Sequence, residues 1–519
     1  MGYKYDLVIV GGGNGGSMAA CRASMMGLKT LVIEKHNMVG GAAASFVRGR
    51  FEFEASLHEI PDFGEGAQRG QLGRLFDELG IQVDWLPIPD AFRTIVAEGD
   101  NITLDATVPH GKEAFMAYME SQSPGCSKSL ELYFEGAREL ERGLAYLGAS
   151  RGRPDPEVLR RDYPLFCKLM SMSTADFMRA VKMPQKIQDI IGAYWPYQGS
   201  DLETIDASRY LLMTEGYFLA GAYMPKLRSH EIANAIQKRA RENGCDFWFE
   251  TEVTKILTKK GAICGVETKD GRRVEACAVI ANVFPDVVYG KLLDDKSLVP
   301  AFERKKMQAR SYGFRGFSVY MGLDRTAEEL GIKDYNVFIN SSADTRVLFQ
   351  QAAAPELPLG GRADNLCCTC LNIVNPEATP PGTAHFAITS GFAADAWDKA
   401  VTPENYVRVK REMADLMIDR YEKVMGIDIR NHIEEIAIAT PVTFARYMGT
   451  PQGAIYGYHS ARWDGMSART LVGGSEPTVP GLFFVGAHGN RLSGFLPTLT
   501  SGDLTAKQVM GYVMGGGNA

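Results

Sequence analysis

Short apolar runs and small or polar residues alternate at the start of the chain in the order strand, helix, strand. The runs "DLVIV" and "KTLVIE" are apolar and β-branched, as in buried strands of a parallel sheet. Between them, "GSMAACRASMMG" predicts a helix that ends at Gly27. Near the C-terminus, "GLFFVGA" predicts another strand, and "LPTLTSGDLTAKQVMGYV" after it reads as the start of a helix. The pattern predicts an α/β fold that begins with a βαβ unit.

Helical patterns dominate the middle of the chain. Residues from about 110 to 213 contain no strong strand pattern, which predicts an inserted helical lobe. Within it, "VLRRDYPLFCKLMSMSTADFMRAV" predicts two helices that meet near residues 171–173. Its Met and Phe side chains form either packed core or the wall of an apolar tunnel or membrane-facing entrance. A further amphipathic helix is predicted to start at Ser229 as N-cap and to end at Gly244.

The composition of the chain argues against several classes of protein. The chain has 519 residues, of which 45% are hydrophobic, enough for more than one domain. A net charge of −6 argues against a nucleic-acid partner. Nine cysteines do not suggest a secreted disulfide framework, and no apolar run reaches the roughly 18 residues of a spanning helix. We therefore expect a cytoplasmic protein, with peripheral membrane contact as an open alternative.

The glycines of the first turn carry the clearest chemistry. Gly11, Gly13 and Gly16 form a Gly-x-Gly-x-x-Gly pattern between the first strand and the first helix. In that context the glycines permit a tight turn, close approach of a pyrophosphate and close helix–strand packing. Glu34 ends the second strand, where an acid binds ribose hydroxyls and disfavours the 2′-phosphate of NADP. A dinucleotide site is thus predicted, and the turn alone leaves NAD and FAD open.

Four further stretches resemble one family over nearly the whole chain. They are "GRFEFEASLHEI", the block from Gly221 to Asn282, "NPEATPPGTAHFAITS" and "TPVTFARYMGTPQGAIYGY". Together with the turn, they resemble the FAD-dependent oxidoreductases that include phytoene desaturases, carotenoid isomerases and retinol saturases. The more distant amine oxidases share this fold. The resemblance implies an α/β protein whose Rossmann-type FAD-binding domain is assembled from 1–100, 225–300 and 440–519. A mixed-sheet and helical substrate domain then comprises 101–224 and 301–439.

The resemblance also implies which residues contact FAD. The pyrophosphate is expected at the three glycines of the turn, and the adenosine ribose at Glu34. The remaining cofactor-binding candidates are Lys35, Gly41, Ala42, Val253, Gly486, Ala487, Leu496, Pro497 and Thr498. One departure stands out: the family usually has Gly-Asp where this chain has Gly486-Ala487. An acid expected on the ribityl chain is therefore missing, and Asp503 lies too far into the following helix to replace it.

Flavin would carry the hydride chemistry, and alkene reduction also needs a proton source. Candidate catalytic residues, taken from segments expected to face the ring, are His58, Glu59, Arg446, Tyr447, Tyr456 and His488. The leading interpretation is an oxidoreductase that saturates or desaturates a C–C bond of a hydrophobic small molecule. A flavin-dependent cis/trans isomerase, an amine oxidase and a flavoprotein that binds lipid without turnover remain alternatives.

Neither a metal nor a dedicated nicotinamide domain is expected. Cys367, Cys368 and Cys370 are predicted to lie in a buried strand, with Cys368 and Cys370 on one face, instead of forming a metal site. No second glycine fingerprint follows a strand, so NAD(P)H is expected at most as a transient electron donor that reaches the flavin through the substrate cavity. The substrate, the direction of reaction and the oligomeric state stay open.

Overall fold

The structure, a computed structural model, describes residues 3–66, 69–150, 153–359, 362–473, 477–489 and 492–515. The strands are β1 Tyr3–Val10, β2 Thr30–Ile33, β3 Ser45–Arg48, β4 Phe51–Glu54, β5 Ile60–Pro61, β6 Trp85–Pro87, β7 Asp90–Glu98, β8 Asn101–Pro109, β9 Ala222–Pro225, β10 Asp246–Trp248, β11 Val253–Lys259, β12 Ala262–Thr268, β13 Arg273–Ala281, β14 Arg315–Leu323, β15 Asn336–Asn340, β16 Asn365–Cys370, β17 Ala384–Phe392, β18 Ile433–Ala439 and β19 Leu482–Phe484.

The helices follow the same chain order. They are α1 Asn14–Met25, α2 Gln71–Leu79, α3 Lys112–Gln122, α4 Ser127–Ala149, α5 Pro156–Asp162, α6 Pro164–Leu169, α7 Thr174–Ala180, α8 Gln185–Gly192, α9 Ala207–Glu215, α10 Ser229–Glu242, α11 Pro285–Val287, α12 Ala301–Ala309, α13 Ala327–Leu330, α14 Thr345–Ala353, α15 Ala396–Ala400, α16 Tyr406–Met425, α17 Pro441–Met448, α18 Met466–Gly473 and α19 Phe495–Met514.

The first sheet joins segments from both ends of the chain. Its order is β10-β2-β1-β13-β12-β11, with β19 also pairing with β13. The strands β10, β2, β1, β13 and β19 run parallel, whereas β11 and β12 form an antiparallel extension. Side chains of β1 alternate between two cores, with Leu7 and Ile9 facing α1 and α10, and Val8 and Val10 on the opposite face. This arrangement confirms the predicted α/β fold.

The second sheet is mixed and has the order β18-β14-β17-β16-β15-β7-β8. Along β16, Cys368 and Cys370 pack into the core under α16, and Cys367 packs on the other face with the helical region. The alternation predicted for these cysteines is therefore present. The hairpin β7–β8 belongs to this sheet, so the predicted segment 1–100 contains a strand of the second sheet.

The region between β8 and β9 is built from helices α3 to α9. The prediction of two helices meeting near residues 171–173 is wrong in detail, because three helices, α5 to α7, occupy that stretch. Pro164 starts α6 as its first residue, and proline is best tolerated in the first turn of a helix. Phe166, Phe177 and Met178 are buried in the core of this region. Of the two alternatives for this stretch, packed core or the wall of an apolar tunnel or membrane-facing entrance, these three side chains therefore form packed core.

The N-terminus of α10 also differs from the prediction that Ser229 is its N-cap. Ser229 is the first residue of the helix, and Arg228 precedes it with a φ of 70°. The Ser229 backbone N–H and hydroxyl both donate to the Glu54 carboxylate, at 2.8 and 2.7 Å. A buried acid from β4 thus satisfies the helix end in place of a local cap.

Candidate active site

One large cavity runs between the first sheet and the helical region. Its volume is about 1380 Å³, which exceeds the roughly 300–1,000 Å³ of a single small-molecule pocket. One end is lined by the glycine turn after β1 and the end of β2. The other end is lined by apolar side chains of α4, α9 and the turn after α9: Leu144, Ala145, Leu212, Met213 and Leu219. The cavity can therefore hold an extended cofactor and an apolar ligand together.

The glycine turn has the geometry that its spacing predicts. Gly11 has a φ of +96°, a conformation that favours glycine. A Cβ on Gly16 would lie 2.1 Å from the carbonyl oxygen of Gly11, so α1 can approach the turn only with glycine at this position. Gly11 and Gly13 line the cavity, whereas Gly16 serves helix packing. The N-terminus of α1, with its free N–H groups, is thereby aimed at the cavity.

Glu34 follows β2 at the same end of the cavity. Its carboxylate accepts hydrogen bonds from the backbone N–H groups of Gly12, at 2.6 Å, and His36, at 2.8 Å. Because a carboxylate offers about four lone-pair positions, Glu34 can order the turn and still accept from a ribose. The other predicted contacts Lys35, Gly41, Ala42 and Val253 line the cavity beside it.

The opposite wall comes from the C-terminal segment. Gly486 and Ala487 line the cavity at the turn after β19, and Leu496, Pro497 and Thr498 line it from the first turn of α19. The Ala487 carbonyl accepts a hydrogen bond from Arg469 at 2.8 Å, and Arg469 is paired with the buried Asp464. Asp503 faces away from the cavity and pairs with Arg22 of α1. Among the described residues from 486 to 500 that line the cavity, none is acidic.

These residues fit FAD. A strand–turn–helix with a glycine that cannot carry a side chain, an acid at the end of the next strand and a second helix N-terminus all face one elongated cavity. Together they suit a dinucleotide bound in extended form, with its phosphates at α1. The Gly486-Ala487 turn is held by Arg469, so its backbone position does not depend on an acid at Ala487.

His58 and Glu59 lie in the loop between β4 and β5 and line the cavity. The Nδ1 atom of His58 is 3.3 Å from the Cys367 sulfur, and burial lowers the pKa of His58 to about 4. Glu59 is almost fully buried, and burial raises its pKa to about 8. Tyr194 and Asn336 donate hydrogen bonds to the same oxygen of Glu59. At neutral pH the imidazole is neutral and the carboxyl is largely protonated.

Tyr456 and His488 also line the cavity. Burial raises the pKa of the Tyr456 phenol above its ordinary value. The His488 ring packs 4.1 Å from the Phe284 ring, and burial and the nearby Arg469 lower the pKa of this histidine well below its ordinary value. Neither side chain is charged at neutral pH, so both line the cavity as neutral groups.

The placement of Arg446 and Tyr447 differs from the expectation that both face the reaction centre. Tyr447 is 55% exposed and its ring lies 6.4 Å from that of His36, beside the Glu34 end of the cavity. Arg446 is exposed and does not line the cavity. The reason is the position of α17, whose C-terminal end comes close to Lys35 at Gly449.

Sequence reasoning missed several side chains around the cavity. Arg209 of α9 is buried in the cavity wall, and its guanidinium donates to the hydroxyls of Ser460 and Ser493. Within the described part of the chain, no carboxylate lies within 4 Å of this guanidinium. Tyr197 and Tyr217 also line the cavity, close to Glu59. No local motif surrounds these residues, so the sequence held no signal for them.

Neither a metal-binding cluster nor a membrane-spanning helix occurs among the described residues. Within 3–66, 69–150, 153–359, 362–473, 477–489 and 492–515, no three His, Cys, Asp or Glu side chains are grouped so that they could hold a metal ion. Over the same residues, no helix is both long and apolar enough to cross a bilayer.

The fold and the cavity define a flavoprotein oxidoreductase of the dinucleotide-binding type. Residues 18–510 match the model of the family described as flavin containing amine oxidoreductase, and the chain belongs to this family. The family predicted from the sequence is thereby confirmed, with FAD as the cofactor. Solved structures with this fold include an oxidoreductase from Methanosarcina mazei, with 15% identity, a TM-score of 0.64 and coverage of 97% of this chain and 100% of that one. A putrescine oxidase has 15% identity, a TM-score of 0.62 and coverage of 98% and 100%.

Relatives with known activities are similar over most of their length. An all-trans-retinol 13,14-reductase from Danio rerio is 25% identical over 87% of this chain and 77% of its own. A 4,4'-diapolycopene oxygenase from a Methylomonas species is 24% identical over 97% of this chain and 98% of its own. A prolycopene isomerase from an Oncidium hybrid is 24% identical over 87% and 75%.

Proposed function

We propose that this FAD-dependent oxidoreductase transfers hydride between the flavin and a C–C bond of a long, apolar polyene. The observation that carries the proposal is the single cavity that joins the glycine turn to an apolar wall of α4 and α9. Apolar side chains make up most of this wall, although Glu141, Arg209 and Glu215 of the same two helices also line the cavity. An extended hydrocarbon chain would bury apolar surface along it.

The names of the relatives support a polyene as substrate. Retinol and diapolycopene are both conjugated, apolar molecules with few polar groups, and they are named in enzymes similar over most of this chain. We infer the same class of substrate here. Because such molecules dissolve in lipid, uptake from a membrane surface is part of the proposal, and co-sedimentation of the protein with lipid vesicles tests it.

Roles for the predicted cofactor contacts follow from their places in the cavity. We assign Gly11, Gly13 and the N-terminus of α1 to the pyrophosphate, and Glu34 to the adenosine ribose. We assign the first turn of α19 to the flavin ring. NAD(P)H is proposed only as a donor that visits the cavity, since the described strands carry no second dinucleotide turn.

A cis/trans isomerase is the second candidate, favoured by the similarity to prolycopene isomerase. Such an enzyme would use reduced flavin without net consumption of electrons. The two reactions differ in the product, because reduction adds two hydrogens and isomerisation adds none.

The decisive experiment uses the purified, FAD-loaded protein without oxygen. The visible spectrum is followed on addition of NADH and then NADPH, and all-trans-retinol or lycopene is then added to dithionite-reduced enzyme. Reoxidation of the flavin with a product two mass units heavier supports saturation, whereas a product of equal mass supports isomerisation. If the oxidised enzyme is instead reduced by the polyene, the reaction is desaturation. A flavin that responds to no polyene in either redox state contradicts the proposed function.

A further inference from the structure

The lining of the cavity contains a buried carboxyl group without a counter-charge. Glu59 is 3% exposed and lines the cavity from the loop between β4 and β5. Its Oε1 atom accepts hydrogen bonds from the Tyr194 hydroxyl, at 2.7 Å, and from the Asn336 amide, at 3.3 Å. Its Oε2 atom is buried and has no hydrogen-bond partner among the described residues. An orphan oxygen of this kind suits a protonated carboxyl whose proton is kept for a ligand.

The surroundings keep this carboxyl neutral. No cation lies within 4 Å of it in the described part of the chain, and burial raises its pKa to about 8, although hydrogen bonding from Tyr194, Tyr197 and Asn336 lowers it. The groups packed around it are uncharged at neutral pH, since burial lowers the pKa of the histidine and raises those of the phenols and the thiol. These groups are His58, Tyr194, Tyr197, Tyr217, Tyr335 and Cys367.

The other cavity groups are poorer proton donors. His58 is a neutral imidazole, with its Nδ1 beside the Cys367 sulfur, and a neutral imidazole is a weak acid. His488 is neutral for the same reason, and the Tyr456 phenol holds its proton well above neutral pH. Glu215 also lines the cavity and has a raised pKa of about 7, but it lies in the helical region near Glu141 and Arg138. Glu59 is therefore the candidate acid of the cavity.

We propose that Glu59 is the catalytic acid and that the enzyme works as a reductase, an inference that rests on the proposed function. With reduced FAD bound as the hydride donor, one alkene carbon would receive a hydride, and the O–H bond of the Glu59 carboxyl would break to give a proton to the neighbouring carbon. The C–C π bond is lost and two C–H bonds form. The substrate gains two electrons, the flavin loses two, and Glu59 is left as a carboxylate. Water that enters after product release returns its proton.

Tyr194 is the positioning residue of this arrangement. Its hydroxyl donates to Oε1 and stabilises the ionised form of Glu59, while Oε2 keeps no hydrogen-bond partner among the described residues. Removing the hydroxyl should therefore raise the pKa of Glu59 further, which a merely structural tyrosine would not do.

The test compares Glu59→Gln, Tyr194→Phe and the control Glu131→Gln, an exposed glutamate of α4 outside the cavity lining, in the FAD-loaded full chain. Dithionite-reduced enzyme is mixed without oxygen with all-trans-retinol or lycopene, and the loss of polyene absorbance is followed between pH 6 and 10. The wild type should slow above about pH 8. Glu59→Gln should lose roughly 10²–10⁴-fold in rate together with this pH dependence, the usual range for a general acid. Tyr194→Phe should shift the pH at which the rate falls to a higher value, and Glu131→Gln should leave both the rate and its pH dependence unchanged.

Infrared spectroscopy in D₂O gives a second readout that needs no turnover. The wild type should show a protonated carboxylic acid band at pH 7 that titrates near pH 8 and disappears in Glu59→Gln. The inference is overturned if Glu59→Gln reduces the polyene within twofold of the wild-type rate, or if that band is already missing from the wild type at pH 7. A wild-type enzyme that binds no polyene contradicts the proposed function instead, and the infrared titration then still decides whether Glu59 is an acid.

Discussion

The buried ion pair between α1 and α19 offers a sharp test of how the dinucleotide turn is supported. Arg22 of α1 and Asp503 of α19 have side chains that are 7% and 6% exposed, and the Arg22 Nε atom donates to the Asp503 carboxylate. Glu78 lies 2.8 Å from another Arg22 nitrogen but is 57% exposed. The change we consider is Asp503→Asn, which preserves the shape of the side chain and removes its charge.

Breaking a buried pair by neutralising one partner costs about 3–5 kcal/mol, because the other charge stays buried. Glu78 still offsets part of the Arg22 charge, so we expect the lower end, about 3 kcal/mol. Unfolding entropy is about 2.1 cal/mol/K per residue, which for 519 residues gives about 1.1 kcal/mol/K. The expected fall in Tm is therefore about 3 °C. Arg22 is about 12 Å along α1 from its N-terminus, so the fall should be similar with and without FAD.

Scanning calorimetry measures this shift, with two matched variants. Lys507→Gln removes the exposed partner of Asp503, 2.8 Å away, and should change Tm by less than 1 °C. The double variant Arg22→Met/Asp503→Leu replaces both charges by apolar groups and should recover most of the loss. The reasoning is refuted if Asp503→Asn lowers Tm by less than 1 °C, or if the double variant is as unstable as the single one.

Three other changes are expected to have separable effects. Gly16→Ala places a Cβ 2.1 Å from the Gly11 carbonyl oxygen and should weaken FAD binding at least tenfold in a flavin titration; Gly511→Ala in α19, where a Cβ would meet no atom within 4 Å, should change it less than twofold. Burial lowers the pKa of His385 to about 3, so stability is full above its unfolded pKa of about 6.5 and falls as the pH drops toward 3. Between pH 7 and 5 this costs about 2 kcal/mol, and His385→Leu should remove that part of the loss in urea unfolding. Arg209→Met should weaken the binding of a polyene carboxylic acid at least tenfold more than that of the polyene alcohol, and equal effects on both ligands would argue against a role in charge recognition.

The cofactor end of the cavity could be predicted because its information is local. The strand, turn, helix and acid lie within the first 34 residues, and each is set by short-range preferences: apolar β-branched runs, glycines at a tight turn and a residue at a strand end. The alternation of Cys367 and Cys368 across β16 was predictable for the same reason, since strand geometry has a period of two.

The reactive centre could not be predicted in the same way, because long-range packing builds it. Glu59 was a candidate from its segment, but its protonation depends on burial and on Tyr194, 135 residues away in the chain. The Asn336 amide that shares Oε1 is 277 residues away. Neither Tyr194 nor Asn336 belongs to a sequence motif. The sequence can therefore identify Glu59 as a candidate, but it cannot predict whether the carboxyl group is charged.

Arg446 and Arg209 show why residue type is an insufficient guide to charge recognition. Thr443, Phe444, Tyr447 and Met448 of α17 line the cavity, and at 100° per residue Arg446 falls outside that face. Its charge is exposed and screened by water, so it contributes little to binding a ligand inside. Arg209 lies in the cavity wall, where its guanidinium donates, among the described residues, to serine hydroxyls, and burial lowers its pKa to about 10. A cation desolvated to that extent gains most from an anionic or carbonyl ligand, and the polar end of a polyene is therefore expected at Arg209.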